Sequence, residues 1–201
     1  MKPRKQPRQA RAAATVDAIV EAAARILERG SLDQVNTNAI AKRAGVSIGS
    51  LYQYFSTKEG ILAALIRREH MQLRENIIEA AEAGRDQSFE EATEALLGAA
   101  VAHKLDRPRL HRALEYAEAV LPLDAEAHEL NALIVGRVVE LFVIHGIDEP
   151  KETARDVVAL AKGMIDAART AGETDHADLQ RRLKRAVFGY LRGPVSPTIA
   201  R

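Results

Sequence analysis

The chain has 201 residues, 47% of them hydrophobic and only 4% aromatic, with no cysteine and no tryptophan. This composition supports one or two compact domains, favours helices over sheets, and excludes disulfides, thiol catalysis and cysteine-ligated metals. The formal charge of +1 hides an asymmetry: residues 1–60 hold ten Lys/Arg against five Asp/Glu, and residues 61–201 hold nineteen against twenty-three. A basic N-terminal third on a mildly acidic remainder suits a protein with one nucleic-acid face. No apolar run approaches membrane-helix length. The basic N-terminus lacks the apolar segment of a secretion signal, so a cytoplasmic protein is expected.

In chain order, residues 1–14 read as a basic disordered arm. Lys2, Arg4, Lys5, Arg8 and Arg11 stand there with Pro3 and Pro7 and no acid, a composition suited to phosphates or a minor groove. A first helix is expected over 16–29, with Val16, Ile19, Val20, Ala23, Ile26 and Leu27 as its apolar stripe and Gly30 as its end. Thr37 is expected to cap a second helix, with Ile40, Ala41 and Ala44 on one face. Gly45 then suits the left-handed conformation that ends a helix. Ser47 can cap a third, short helix whose inner face is Leu51 and Phe55, with Val46 as an apolar plug in the turn. Ser56 and Glu59 have the spacing of a capping box, which opens a fourth helix. Two helices joined by a short glycine-containing turn are a helix-turn-helix. Its second helix enters the DNA major groove.

With Val46, Leu51 and Phe55 inward, Ser47, Ile48, Gly49, Ser50, Gln53 and Tyr54 are left outside or at the edge. Gln53 can pair with an adenine edge and Ile48 can meet a thymine methyl. Ser47 and Ser50 can reach a base or a phosphate, Tyr52, Tyr54 and Lys58 suit phosphates, and Gly49 lets the backbone come close to the duplex. Thr37 completes the candidate DNA-binding set.

Residues from about 15 to 70 resemble the N-terminal domain of the TetR/AcrR family of bacterial transcriptional regulators. The residues that carry the likeness are Ala41, Ala44–Gly45–Val46–Ser47, Gly49, Leu51–Tyr52, Tyr54–Phe55 and Lys58–Glu59. In that family the matching positions of the third helix, and the lysine opening the fourth, touch DNA. That implies contacts by Ser47, Ile48, Gly49, Ser50, Tyr52, Gln53, Tyr54 and Lys58. Ile48 stands where the family commonly has a basic or polar residue.

The fourth helix is expected to run from 57 to about 83, with Ile61, Leu62 and Leu65 on the first helix; Gly84 and Asp86 mark a break. Ser88 and Glu91 form a second capping box, opening a fifth helix to about 104. Asp106 with Pro108 opens a sixth to about 120, and Pro122 and Asp124 interrupt before a seventh to about 145. Asp148 and Pro150 open an eighth, closed by Gly172. Thr174 or Asp175 opens a ninth to about 192, and 194–201 is a loose tail. The expected fold is all-α: a helix-turn-helix domain over 15–60 and a helical effector-binding and dimerisation domain over 61–193, the family's own architecture.

The eighth and ninth helices carry more apolar width than one neighbour needs. The resemblance implies that they pair with their twofold mates as a four-helix bundle. The expected interface is Val157, Leu160, Ala161, Met164, Ile165, Ala168, Leu183, Val187, Phe188, Tyr190 and Leu191. Two recognition helices about 34 Å apart then read a palindromic operator. Helices five to eight in similar proteins surround a small-molecule cavity. Its expected lining here is Leu96, Ala100, His103, Leu110, Leu114, Tyr116, Ile134, Arg137, Val138, Leu141 and Phe142. Arg137, set among apolar residues, suits an anionic effector or an ion pair with Glu115 or Glu140. The implied mechanism is repression relieved by an unknown small-molecule effector. A structural or protein-partner role without effector, or activation, is the alternative. No glycine-rich phosphate loop and no H-x-x-x-H pair occurs, so neither an enzyme nor a cofactor nor a metal site is expected.

Overall fold

A computed structural model describes residues 6–30 and 32–192. The elements are α1 (Gln6–Arg29), a 3-10 turn (Leu32–Gln34), α2 (Thr37–Ala44), α3 (Ile48–Tyr52), α4 (Lys58–Ala83), α5 (Phe89–Leu105), α6 (Pro108–Glu118), α7 (Asp124–Ile144), α8 (Pro150–Ala171) and α9 (His176–Leu191). The described residues contain no strand, and none of their helices is long and apolar enough to cross a membrane.

The chain divides into two units, Met1–His70 with Arg107–Asp124, and Met71–Asp106 with Ala125–Arg201. This division differs from the expected boundary at residue 60 in two ways. The first unit takes α4 as far as His70, and it takes α6 as well. The reason is apolar burial. Leu110, Leu114 and Ala117 of α6 are buried in one core with Ile19, Ala23 and Leu27 of α1 and Ile61 and Leu65 of α4. A charge relay runs beside that core. Arg107 Nε donates to Glu28 Oε1 at 2.5 Å, and Arg68 donates to Glu21 and Glu69, each at 3.1 Å. Glu69 is only 8% exposed, so these cations offset the cost of burying its charge. Burial acts to raise the pKa of Glu21, but Arg25, Arg68 and Arg107 outweigh it and hold the carboxyl below its usual value.

The second unit packs α5, α8 and α9 against one another. Its core holds Leu97 and Val101 of α5, Leu141 and Phe142 of α7, Ile165 of α8 and Leu183 of α9. The Ser88–Glu91 capping box forms as expected: Ser88 N donates to Glu91 Oε2 at 3.0 Å, and Glu91 N donates to Ser88 Oγ at 3.3 Å. Hydrogen bonds from the Ser88 side chain and backbone lower the pKa of Glu91.

Several expected boundaries move. The arm expected to be disordered over 1–14 is helical from Gln6. Ala10, Ala12, Ala13 and Ala14 are the strongest helix formers available, and Pro7 sits in the first turn, where its missing N–H costs nothing. Residues 1–5 of that arm and the expected tail 194–201 lie outside the described residues. Asp106 closes α5 rather than opening α6, whose first residue is Pro108. Asp175, not Thr174, caps α9.

Candidate nucleic-acid interface

The interface is built from α2, the turn after it, and α3. Asn36, in extended conformation, caps α2 by accepting from Ala39 N at 2.9 Å. The cap expected at Thr37 is therefore one residue earlier, and Thr37 is the first helical residue. Its hydroxyl instead lies 3.2 Å from the Tyr52 hydroxyl, which ties the start of α2 to the end of α3. Gly45 adopts φ 70°, the left-handed geometry expected of it. Behind it Val46 N donates to Ala41 O at 3.1 Å, closing the helix end. Ser47 caps α3 by accepting from Ser50 N at 3.0 Å, and the two hydroxyls are 2.8 Å apart.

Leu51 anchors α3, fully buried, with Val46 and Phe55 half-buried against the same core. From Ser47 to Tyr54 it is the only buried residue. Ser47, Ile48, Gly49, Tyr52, Gln53 and Tyr54 are exposed, and Ser50 is half-buried. The whole expected reading set from Ser47 to Tyr54 thus lies along one short segment, outside the core. α4 opens differently from the expected Ser56–Glu59 box: Thr57 Oγ1 accepts from Gly60 N at 3.1 Å. Lys58, half-buried, becomes the first residue of α4. Lys42 and Arg43, exposed in the last turn of α2, were not in the expected set. Their charge beside the glycine corner was the available signal.

The expected effector lining does not gather in one core. Leu96, Val138, Leu141 and Phe142 are buried in the second unit, with Ala100 and Ile134 packed against them. His103 is half-buried on α5. Arg137 donates to Glu140 at 2.8 Å, one of the two pairings the sequence offered. Leu110 and Leu114, however, belong to the core of the first unit, and Tyr116 is exposed on its surface. The apolar face of α6 is used up on α1 and α4.

The expected interface residues also separate. Val157, Ala161, Ile165, Ala168, Leu183 and Val187 are buried inside the protomer's own second core. Leu160, Met164, Phe188 and Leu191 are half-buried, and Tyr190 is exposed, its hydroxyl donating to Asp156. Burial within one copy removes the first six from any surface a partner can cover.

An all-helical chain that caps, turns and exposes a short helix in this way has the architecture of a helix-turn-helix DNA-binding protein. Residues 19–65 match the bacterial regulatory proteins of the tetR family, and residues 88–191 match the tetracyclin repressor-like C-terminal domain. The chain belongs to the TetR family of transcriptional regulators. A fatty acid metabolism regulator protein of Bacillus subtilis (strain 168) is 36% identical over 61 residues, which span 30% of this chain and 31% of that protein. The fold resembles that of a transcriptional regulator from Rhodococcus sp. RHA1, at a TM-score of 0.74 and 22% identity over 89% of this chain and 96% of that one. It also resembles the fatty acid degradation regulator of Bacillus halodurans, at a TM-score of 0.68 and 17% identity over 86% and 97%.

Proposed function

We propose that this regulator is a repressor that binds a palindromic operator as a homodimer and leaves it when a small molecule binds the second unit. The observation that carries the DNA half of this reading is the segment Ser47–Tyr54, in which Leu51 alone is buried. A protein gains nothing in stability from holding Ile48, Tyr52 and Tyr54 in water, so their exposure points to a surface that is covered in use. Lys58 adds to this. A cation at a helix N-terminus opposes the helix dipole, and a phosphate at that point would turn the conflict into an attraction. Ser47, Ser50 and Gln53 are the base-reading candidates, while Thr37, Tyr52, Tyr54 and Lys58 position the backbone.

Release follows if the effector binds the geometry that does not fit the operator more tightly than the one that does. A coupling of about 1–3 kcal/mol gives roughly 5- to 150-fold weaker DNA binding. The test is selection of genomic fragments on the purified protein, footprinting of the selected site, and titration of metabolites against the complex. Fatty acids join the panel because two similar proteins are named as fatty acid regulators. A twofold footprint that shrinks with one metabolite is expected. Failure to select any duplex would remove the reading, and a footprint indifferent to every metabolite would remove its effector half.

A further inference from the structure

In the second unit one phenylalanine, Phe89, meets two of the chain's other three and one histidine. Phe89, the first residue of α5, has its ring centroid 5.7 Å from Phe142, 5.3 Å from His145 and 5.7 Å from Phe188. Both phenylalanine contacts are edge-on, the geometry aromatic rings prefer. Two polar atoms beside this cluster are buried with no hydrogen-bond partner among the described residues: Thr93 Oγ1 and His145 Nε2. Thr93 is 5% exposed and stands one turn along α5 from Phe89, on the same face. A single unpaired buried polar atom is uncommon in folded proteins. One stands on α5 and the other in the turn just after α7, each next to Phe89, and together they offer two unused hydrogen-bonding groups.

We propose that Phe89, Thr93, Phe142, His145 and Phe188 form the seat of the effector, and that the effector is a neutral ring compound carrying one hydroxyl. This rests on the effector-release reading above. The chemistry of the two orphan atoms selects the head group. A neutral imidazole nitrogen either donates or accepts, depending on its tautomer, and a threonine hydroxyl does both. A ligand hydroxyl also does both, so one such group satisfies the pair in either tautomer. A carboxylate only accepts, and burying its charge against phenylalanine rings is costly. The rings supply edges and faces for an aromatic or alicyclic body. Access is local. Phe89, His145 and Phe188 are only half-buried, while Phe142 is fully buried, so the cluster runs from surface to core.

The probes are para-cresol and para-xylene, which differ only by hydroxyl against methyl, titrated calorimetrically into the full chain without DNA. Para-cresol is expected to bind about tenfold more tightly, the yield of two modest hydrogen bonds. Thr93→Val keeps the side-chain shape and His145→Phe keeps a ring beside Phe89. Each should bring para-cresol toward the para-xylene affinity and leave para-xylene unchanged. Thr93→Val should also raise the melting temperature of the free protein, because it removes an unpaired buried hydroxyl. Equal affinities, no binding of either probe, or a cresol preference that survives both variants would overturn the seat. So would tighter binding of para-toluate, or a melting temperature lowered by Thr93→Val. Operator affinity is measured separately with the same probes. Hydroxyl-dependent binding that leaves the operator complex intact would retain the seat and sink the release reading; release by a compound indifferent to Thr93 and His145 would do the reverse.

Discussion

On the proposed DNA-binding reading, Gly49 is the residue at which folding and DNA binding make opposite demands. A Cβ added there would meet only Ser47 Oγ, at 3.9 Å, an ordinary contact. The fold therefore has room for a side chain, and a glycine within a helix costs about 1 kcal/mol relative to alanine. Gly49→Ala is expected to raise or maintain the melting temperature while weakening operator binding at least about tenfold. Unaltered operator affinity would mean that the α3 backbone does not approach the duplex closely. Gln53→Ala separates reading from positioning. It should relax preference at one operator position, losing about 1–3 kcal/mol of discrimination for a bidentate contact, as a binding-site selection would reveal. Lys58→Ala should weaken binding to every sequence and lower the salt slope by about one unit. At this scale the sequence showed which residues face outward, because one buried leucine fixes the phase of so short a helix. It did not resolve the caps. Asn36 and Thr37 are both competent, as are Ser56 and Thr57, and the choice falls to whichever has the extended backbone and the aligned oxygen.

Between elements, α6 is the lesson. It was readable as a helix from the proline near its start, but a start signal does not say which neighbour receives the buried face. Its Leu110 and Leu114 went to α1 and α4, where Arg107 also reaches Glu28. The alanine-rich start of α1 misled in the opposite sense: two prolines and five cations suggested a disordered arm, while local propensity favoured helix from Gln6. The Ser88–Glu91 box was legible in full, because its spacing is local and no tertiary choice intervenes. Ser88→Ala removes that cap. The expected loss is about 1 kcal/mol, or roughly 2–4 °C in melting temperature for a chain of this size. The arginines around Glu21 give a pH dependence with a defined sign. Because they hold its folded pKa below the unfolded value, the ionised form stabilises the fold above about pH 4.3, the ordinary glutamate value. That stabilisation is lost as pH falls further, through the folded value. Glu21→Gln should flatten the fall in stability below about pH 4.3, measured by urea titration at stepped pH. An unchanged acid limb would show that these arginines do not set it.

For the molecule as a whole, the proposed homodimer needs a surface that brings two copies together, and α8 divides the candidates. Val157, Ala161, Ile165 and Ala168 follow a helical spacing and are buried inside the protomer. Leu160 and Met164 stand four residues apart on another face, both half-buried, with Gly163 and Ala167 exposed beside them. A sequence stripe wide enough for two neighbours carries no mark saying which half belongs to which, and only the packing of α5 and α9 assigns the first half. The two halves must therefore respond differently to substitution. Ile165→Ala empties a filled core position and should cost about 2–5 kcal/mol of stability. Leu160→Glu with Met164→Glu puts two charges on a face the folded protomer leaves partly in water. If that face is the homodimer interface, the double variant should sediment as a folded monomer whose urea midpoint no longer varies with protein concentration. Its operator affinity should fall steeply, because a lone α3 reads half a palindrome, and the remaining binding should be indifferent to half-site spacing. A double variant that still sediments as a dimer would move the interface away from this stripe, leaving exposed Val143 and Ile144 at the end of α7 as the apolar surface to substitute next.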